Sequence, residues 1–296
     1  MTKAAELAKL GEVLTNSSKG RTNLIINGDM AVNQRGATSG VTSGYFVDRF
    51  RLSGCSASAV ITSSTPTEFP TAITVSATSG NPIVTQRIES KNVQHLSGKV
   101  VTASFFAKNV SNATTLYASL QYAGSADDWS SSTTITEHNL GSLSSDWVKY
   151  TASWTVPSGG LNGLALNILC AGSSTFTMGV TGVMLQEGSV STPFEHLSHT
   201  ESLILCQRYC FDVNPATGAS PNTPYIMSVA IYNDTLAISH VQFPTEMRTT
   251  PTTTLTGAAA DFSIVEGNQT RACTGFAANG LGAAGGGMYW TVNAGG

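Results

Sequence analysis

The sequence predicts an all-β protein: a jelly-roll β-sandwich, preceded by a short N-terminal helix and followed by a second, smaller β-domain. Three observations point there. Short runs rich in Val, Ile, Thr and aromatics recur at intervals of roughly 8–20 residues, separated by Gly, Asn and Ser clusters. No convincing interior helix separates them, so the crossovers that parallel strands need are missing. Charged residues make up only 11% of the 296 positions, against a usual ~25%, and Ser, Thr, Gly and Asn fill the gap.

Taken in order, residues 3–14 place Leu7, Leu10 and Leu14 on one helical face, with Thr2 available as a cap. About twelve residues are marginal as an isolated helix. Both a fraying tail and a short docking or self-associating helix are open. "TNSSKGR" (15–21) reads as a flexible link, closing a first segment over 1–22. "NLIINGDMAVNQRG" (23–36) turns from apolar to polar within four residues and reads as the first strand and first bend, with Asn27-Gly28 supplying the positive φ. About ten strand candidates follow to residue 196. "KVVTASFFAKN" alternates, with Val101, Ala103, Phe105 and Ala107 on one face. "TTLYASLQYAG", "WVKYTASWTV", "LALNILCAG" and "FTMGVTGVMLQEG" read as further separate strands. Residues 197–209 read as a linker, helical near Glu201–Tyr209, and 210–296 as the smaller β-domain, opening with a hairpin at Asn233-Asp234.

The composition excludes several functions. A net charge of −3 gives no basic stripe for nucleic acid or an anionic membrane. No stretch approaches the ~18 apolar residues of a membrane span, and "MTKAAELAKLGEVL" lacks the continuous apolar run of a signal peptide. A soluble protein made in the cytoplasm without a cleaved leader is expected. Five scattered cysteines form neither a disulfide framework nor a zinc pattern, and free thiols follow.

Few motifs carry chemistry. "GLGAAG" (280–285) matches a dinucleotide fingerprint literally, but only eleven residues remain after it, too few for the helix and acidic residue that mechanism needs. His196 and His199 lack the intervening Glu of a zincin helix. No catalytic residue and no metal ligand set is assigned, and no enzyme activity is expected. "YAGSADDWSSSTTITEH" (122–138) reads as a Ser-rich insertion between strands. Asp127 and Asp128 are adjacent, so they point apart on a strand and do not form the facing pair of a glycosidase. An indole beside acids and amides suits a sugar better, since the ring stacks on its apolar face. Tyr122, Asp127, Asp128 and Trp129 are therefore candidate glycan contacts, and Tyr289 and Trp290 are a second set, open between core and contact.

"NLIINGDMAVNQRG", "GYFVDRFRL" and "VMLQEGSVSTPFEHLSHTESLILCQRYC", read together, resemble bacteriophage virion proteins with a galactose-binding-like, carbohydrate-module-type jelly-roll. "MTKAAELAKLGEVLTNSS" resembles the start of fibre proteins of aquatic phages, and "FPTEMRTTPT" a segment after "CQRY" in the same group. The resemblance implies a structural virion protein: a homotrimeric tail fibre that contacts other tail proteins and binds host surface polysaccharide. A capsid-decorating head fibre or baseplate component is its alternative. Leu7, Leu10 and Leu14 would be assembly residues. The residues that carry the resemblance also have structural readings: a charge pair among Arg35, Asp48 and Arg49, closure beside the first strand by Leu185, Gln186 and Glu187, and Phe194 capping one end. No cofactor is implied beyond a conceivable structural calcium near the first strand, with Asp29 and Glu187 as oxygen ligands.

Overall fold

The computed structural model describes residues 22–212, 228–254, 259, 262–266 and 269–292. The helix expected over 3–14, with Leu7, Leu10 and Leu14, lies outside the described residues. The chain divides into two compact units, Met1–Leu203 and Ile204–Gly296.

Among its described residues the first unit contains nine strands: β1 (Gly44–Tyr45), β2 (Arg51–Ser53), β3 (Ala57–Ile61), β4 (Ala72–Ala77), β5 (Ile83–Ile88), β6 (Val100–Ser125), β7 (Asp128–Ser142), β8 (Val148–Thr155) and β9 (Leu164–Glu187). All pair antiparallel in one continuous hydrogen-bonded sheet. Two long strands fold it over. The first half of β6 pairs with β8 and with the second half of β9, which continues to β4 and β3. The second half of β6 pairs with β7 and with the first half of β9, which continues to β5, β2 and β1. The result is a two-layer jelly-roll sandwich whose strands switch layers at bends.

The bend explains why the sequence reads as two strands where the fold has one. "KNVSN" looks like punctuation between "KVVTASFFAKN" and "TTLYASLQYAG". Instead β6 continues through it with register shifts at Asn109, Ser111 and Ala113. Asn112 takes φ +50°, a conformation Asn tolerates better than other non-glycine residues, and its Nδ2 donates to the Thr175 carbonyl at 3.0 Å. The Asn109 carboxamide accepts the Ala113 N–H at 3.1 Å. "LALNILCAG" and "FTMGVTGVMLQEG" likewise fuse into β9.

The core lies between the layers. Val101, Ala103, Phe105 and Ala107 of β6 face it, as their alternation predicts, with Leu116, Ala118 and Leu120 beyond the bend. From β9 come Leu164, Leu166, Ile168 and Cys170, then Phe176, Met178 and Val180.

Residues 23–30 are not a strand. They form a run of bends bonded to the end of β9: Leu24 N–H donates to Leu185 O, and Val183 N–H to Gly28 O, both at 2.8 Å. Side chains replace a ladder. The Asn23 Oδ1 accepts the Ile25 and Leu185 N–H groups at 3.0 Å each, and Gln86 Oε1 accepts the Ile26 N–H at 2.7 Å. Within the Asn27-Gly28 pair it is Asn27 that carries the positive φ (+59°), its buried side chain bonding both ends of the bend at Val32. Gly28 is needed for space, since a Cβ would sit 2.1 Å from Val183 O. Arg35 pairs with the buried Asp48 at 3.3 Å, as expected, whereas Arg49 turns to the Arg87 carbonyl.

Helix α1 (His199–Gln207) occupies the stretch read as a linker. It opens with a capping box: Ser198 Oγ accepts the Glu201 N–H at 3.3 Å, and Glu201 Oε2 accepts the Ser198 N–H at 2.9 Å.

In the second unit, β10 (Val229–Asn233), β11 (Leu236–Gln242), β12 (Ser263–Glu266), β13 (Gln269–Asn279) and β14 (Gly285–Val292) form an antiparallel sheet in the order β10-β11-β14-β13-β12. Its core is small: Ala237, Ile264, Cys273, Trp290 and Val292. "GLGAAG" is the turn between β13 and β14. Gly285 (φ +147°) and Gly286 are there because a Cβ would meet backbone oxygens at 2.4 and 2.5 Å.

Candidate functional site

The two outward faces of the sandwich differ. On the β8-β6-β9-β4-β3 layer, aromatic rings cover the sheet. Phe69 lies 5.4 Å from Phe106 and 4.9 Å from Phe194, and His196 packs on both Phe69 and Phe194. β9 makes room with glycines: a Cβ at Gly182 would meet the Phe69 ring at 2.5 Å, and one at Gly179 the Trp147 ring at 2.8 Å. The Trp147 indole donates to Ser64 O at 2.6 Å. Phe194 is thus part of a paving rather than an end cap.

The outward face of the β1-β2-β5-β9-β6-β7 layer carries instead a row of polar residues, set side by side by strand register: Tyr45, Arg51, Thr85, Asn167, Ser119 and Glu137. At ~4.8 Å per strand the row runs about 24 Å, long enough for an oligosaccharide. Its middle is a floor of small side chains: Thr85 (9% exposed), Asn167 (6%) and Ser119 (2%). They are linked, Thr85 Oγ1 donating to Asn167 Oδ1 at 2.7 Å and Asn167 Nδ2 to Ser119 Oγ at 3.3 Å. That network fixes the amide's orientation. Longer same-face neighbours, Tyr117, Gln121 and Arg87, flank the floor along the strands, and Gln121 Nε2 donates to Thr134 Oγ1 at 3.2 Å.

The β6–β7 hairpin closes one end. Residues 122–138, read from sequence as an insertion, are the end of β6 and most of β7, and only Ala126 and Asp127 form the turn. Asp127, at φ +58°, acts as a clamp. Its carboxylate accepts Ser90 N–H at 2.8 Å and Ser90 Oγ–H at 2.9 Å, and its own N–H donates to Asn162 O at 2.9 Å. The clamp ties the hairpin tip to the chain just after β5 and brings Trp129 to Arg87, whose guanidinium lies 4.9 Å from the ring centroid. Asp128 remains exposed, where its carboxylate accepts the Ser130 N–H at 2.9 Å; that bond holds its pKa below the ordinary value. Tyr122 faces inward, half-buried against the core and packed on Gly159.

Of the six residues singled out from sequence, therefore, Trp129 borders the row, Asp127 positions it, and Tyr122 faces the core. Trp290 is buried in the second unit's core, its indole donating to Ser239 Oγ at 3.0 Å, so it offers no stacking surface. Tyr289 is half-exposed on the opposite side of that strand, opposite Ile238 and Ala277. Sequence reasoning missed Tyr45, Arg51, Thr85, Asn167, Ser119 and Glu137. Each is the polar member of an alternating strand, a visible signal, but their assembly into one row needs the strand order.

No metal site emerges. Among the described residues no group of three or more His, Cys, Asp or Glu could hold an ion. Glu187 lies 3.8 Å from Lys99 Nζ, and Asp29 borders a small water-sized cleft with Glu195, whose carboxylate accepts the Thr22 and Asn23 N–H groups. The residues do not fit the structural calcium that the resemblance implied.

No family model matches the chain, and no curated protein matches it. Solved structures do. The enzymatically active domain of bacteriophage CBA120 tailspike protein 4 aligns at TM-score 0.38 and 18% identity over 56% of this chain and 22% of that one. TmCBM61 in complex with β-1,4-galactotriose aligns at 0.37 and 12%, over 57% and 100%. The CBM22-1 xylan-binding domain of Paenibacillus barcinonensis Xyn10C aligns at 0.37 and 11%, over 58% and 99%. The chain thus spans about a fifth of the tailspike domain and the full length of the modules. The fold rests on the strand pairing above: a jelly-roll β-sandwich with a smaller β-unit after it.

Proposed function

We propose that this chain binds glycans through the outward face of the β1-β2-β5-β9-β6-β7 layer, without catalysis, as a structural component of a phage virion. The observation that carries the glycan reading is the polar row itself. Hydroxyls and one fixed amide lie along a shallow floor with Tyr45 at one end and the Trp129–Arg87 pair beside it. Sugars need such a mixture, with donors and acceptors for hydroxyls and rings for apolar faces. The opposite face carries rings packed over Gly179 and Gly182 beside hydroxyl pairs at Thr102–Ser153 and Ser76–Thr177. The low charge and many hydroxyls also suit a surface that binds hydroxyl-rich polymers.

The virion reading comes from the sequence blocks that resemble phage appendage proteins. On it the chain is a tail fibre, made in the host cytoplasm and carried on the phage tail, and trimeric through Leu7, Leu10 and Leu14. Weak single contacts would then be multiplied by copy number.

A glycan array probed with the full chain tests the binding. Binding that falls with Trp129→Ala and Gln121→Ala, at unchanged melting temperature, is the expected result. Absence of binding on the array, or binding indifferent to both variants, overturns it. Immunoelectron microscopy of virions labelled at residues 210–296 tests the location. Label at the far ends of tail appendages is expected, and label over the head overturns the fibre assignment in favour of decoration.

A further inference from the structure

We infer that the glycan is acidic: the open face takes a polysaccharide bearing carboxylates, with Arg51 as the group that reads them. This rests on the glycan-binding reading and adds the substrate class.

Four guanidinium groups gather around β1, β2 and β5, in a chain with only 15 Lys and Arg in 296 residues. Three are engaged. Arg35 pairs with Asp48 at 3.3 Å and lies over the Tyr45 ring at 5.4 Å. Arg49 donates to the Arg87 carbonyl. Arg87 lies over Trp129 at 4.9 Å. Arg51 stands apart: among the described residues it has no hydrogen-bond, ion-pair or ring partner. Register nevertheless sets it on the open face, between Tyr45 and Thr85, two residues along β5 from the row of Arg87.

A half-buried guanidinium keeps five N–H donors in a planar fork, which matches a carboxylate through two parallel bonds. Neutral sugar hydroxyls can take its N–H groups one at a time, whereas a carboxylate takes two in parallel with opposite charge. The row is also directional. Glu137, exposed and four strands from Arg51, sits about 19 Å away at ~4.8 Å per strand. An acidic residue of the ligand is therefore drawn to the Arg51 end and repelled from the other. Arg87, fixed against Trp129, adds positive potential on the same side.

The test is the affinity of the full chain for carboxylated polymers (polygalacturonate, alginate and hyaluronate), for fully methyl-esterified polygalacturonate, and for dextran sulfate. The ester keeps the sugar backbone and removes the charge. A charge-assisted pair of this kind is expected to favour one of the acids over neutral polymer by about tenfold or more. Arg51→Gln should abolish that preference without moving the melting temperature. Arg51→Lys should keep salt-sensitive attraction while losing the preference for carboxylate over sulfate, because an ammonium lacks the fork. Two results overturn the acidic assignment while leaving glycan binding intact: ester bound as tightly as acid, or a preference that survives Arg51→Gln. Tighter, Arg51-dependent binding of dextran sulfate makes the anion a sulfate ester and overturns the carboxylate. If no polymer or array glycan binds at all, the glycan reading falls with it.

Discussion

The two outward faces of the sandwich are built from the same alternating strands, yet one is sealed and the other left open. On the β8-β6-β9-β4-β3 layer the outward positions of β9 include Gly179 and Gly182, which admit Trp147 and Phe69 directly onto the backbone. Phe69 is 1% exposed there, as buried as a core residue. On the other layer the outward positions of the same strand are Ala165, Asn167 and Leu169, and Asn167 is bonded to Thr85 and Ser119. One strand thus supplies both faces, and glycine against asparagine decides which is filled. Ring burial on the sealed face contributes to stability at ~25 cal/mol per Å². The floor of the open face, Thr85, Asn167 and Ser119, keeps its polar groups satisfied by one another.

That contrast predicts where substitutions hurt. Phe69→Ala removes the ring on which Phe106, Phe194 and His196 all pack, and should cost about 3–5 kcal/mol in a denaturant titration. A loss under 1 kcal/mol would show the paving to be loose. Next in size comes Asn167→Ala, which strips the acceptor of Thr85 and the donor to Ser119 and should cost about 1–3 kcal/mol. Thr85→Val with Asn167→Ala should cost less than the sum of the two singles, since they share one bond. Additive losses would separate the two residues and dissolve the floor as a unit.

The sealed and open faces were not equally legible. The all-β class, the core alternation of Val101 to Ala107 and a smaller β-unit read over 210–296 follow from period-2 patterns and turn residues that act locally, whereas the unit itself begins at Ile204. The fusion of β6 was hidden because "KNVSN" carries turn residues that here make a bend: Asn109 and Asn112 bond across it instead of ending the strand. Residues 23–30 read as a strand from their apolar start, yet Asn23, Asn27 and Gln86 satisfy that backbone by side chains, a long-range arrangement that periodicity does not encode. Trp129 stood out as an exposed-looking indole, and it does border the open face. The clamp made by its neighbour Asp127 was not legible, because only the fold brings Ser90 to it. The row from Tyr45 to Glu137 joins five strands between residues 45 and 137 with one at 167. A linear reading has no way to set those residues side by side.

The clamp itself gives a smaller effect confined to the open face. Asp127→Ala removes both bonds to Ser90 and should cost about 1–2 kcal/mol. Its sharper signature is local. The Ser90 amide should exchange with solvent faster, and Trp129 should lose its contact with Arg87, changing its fluorescence, while amides under the Phe69 paving stay protected. Equal deprotection of both faces would mean that the hairpin tip stabilises the whole sandwich rather than the site.

The weakest expected effect is set by two thiols near the open layer. Burial pushes Cys55 up to about 11 and Cys170 up to about 12, from an ordinary value of 9.0. Both are held protonated in the fold, whereas in the unfolded chain they ionise near 9. Their contribution to stability is therefore complete below pH 9 and is lost as pH climbs toward 11–12. Cys170 lies in the core under the floor, on the inward side of β9 three residues from Asn167, and Cys55 packs against the same core. Iodoacetamide at pH 8 should leave both unmodified in the native protein and modify both in denaturant, because the thiolate is the nucleophile. Melting temperature should decline gently between pH 9 and 11, and Cys170→Ala should flatten that decline at the cost of a cavity. Fast alkylation of Cys170 under native conditions would mean that the open layer breathes down to its inner side. The sealed face would then be the only rigid one.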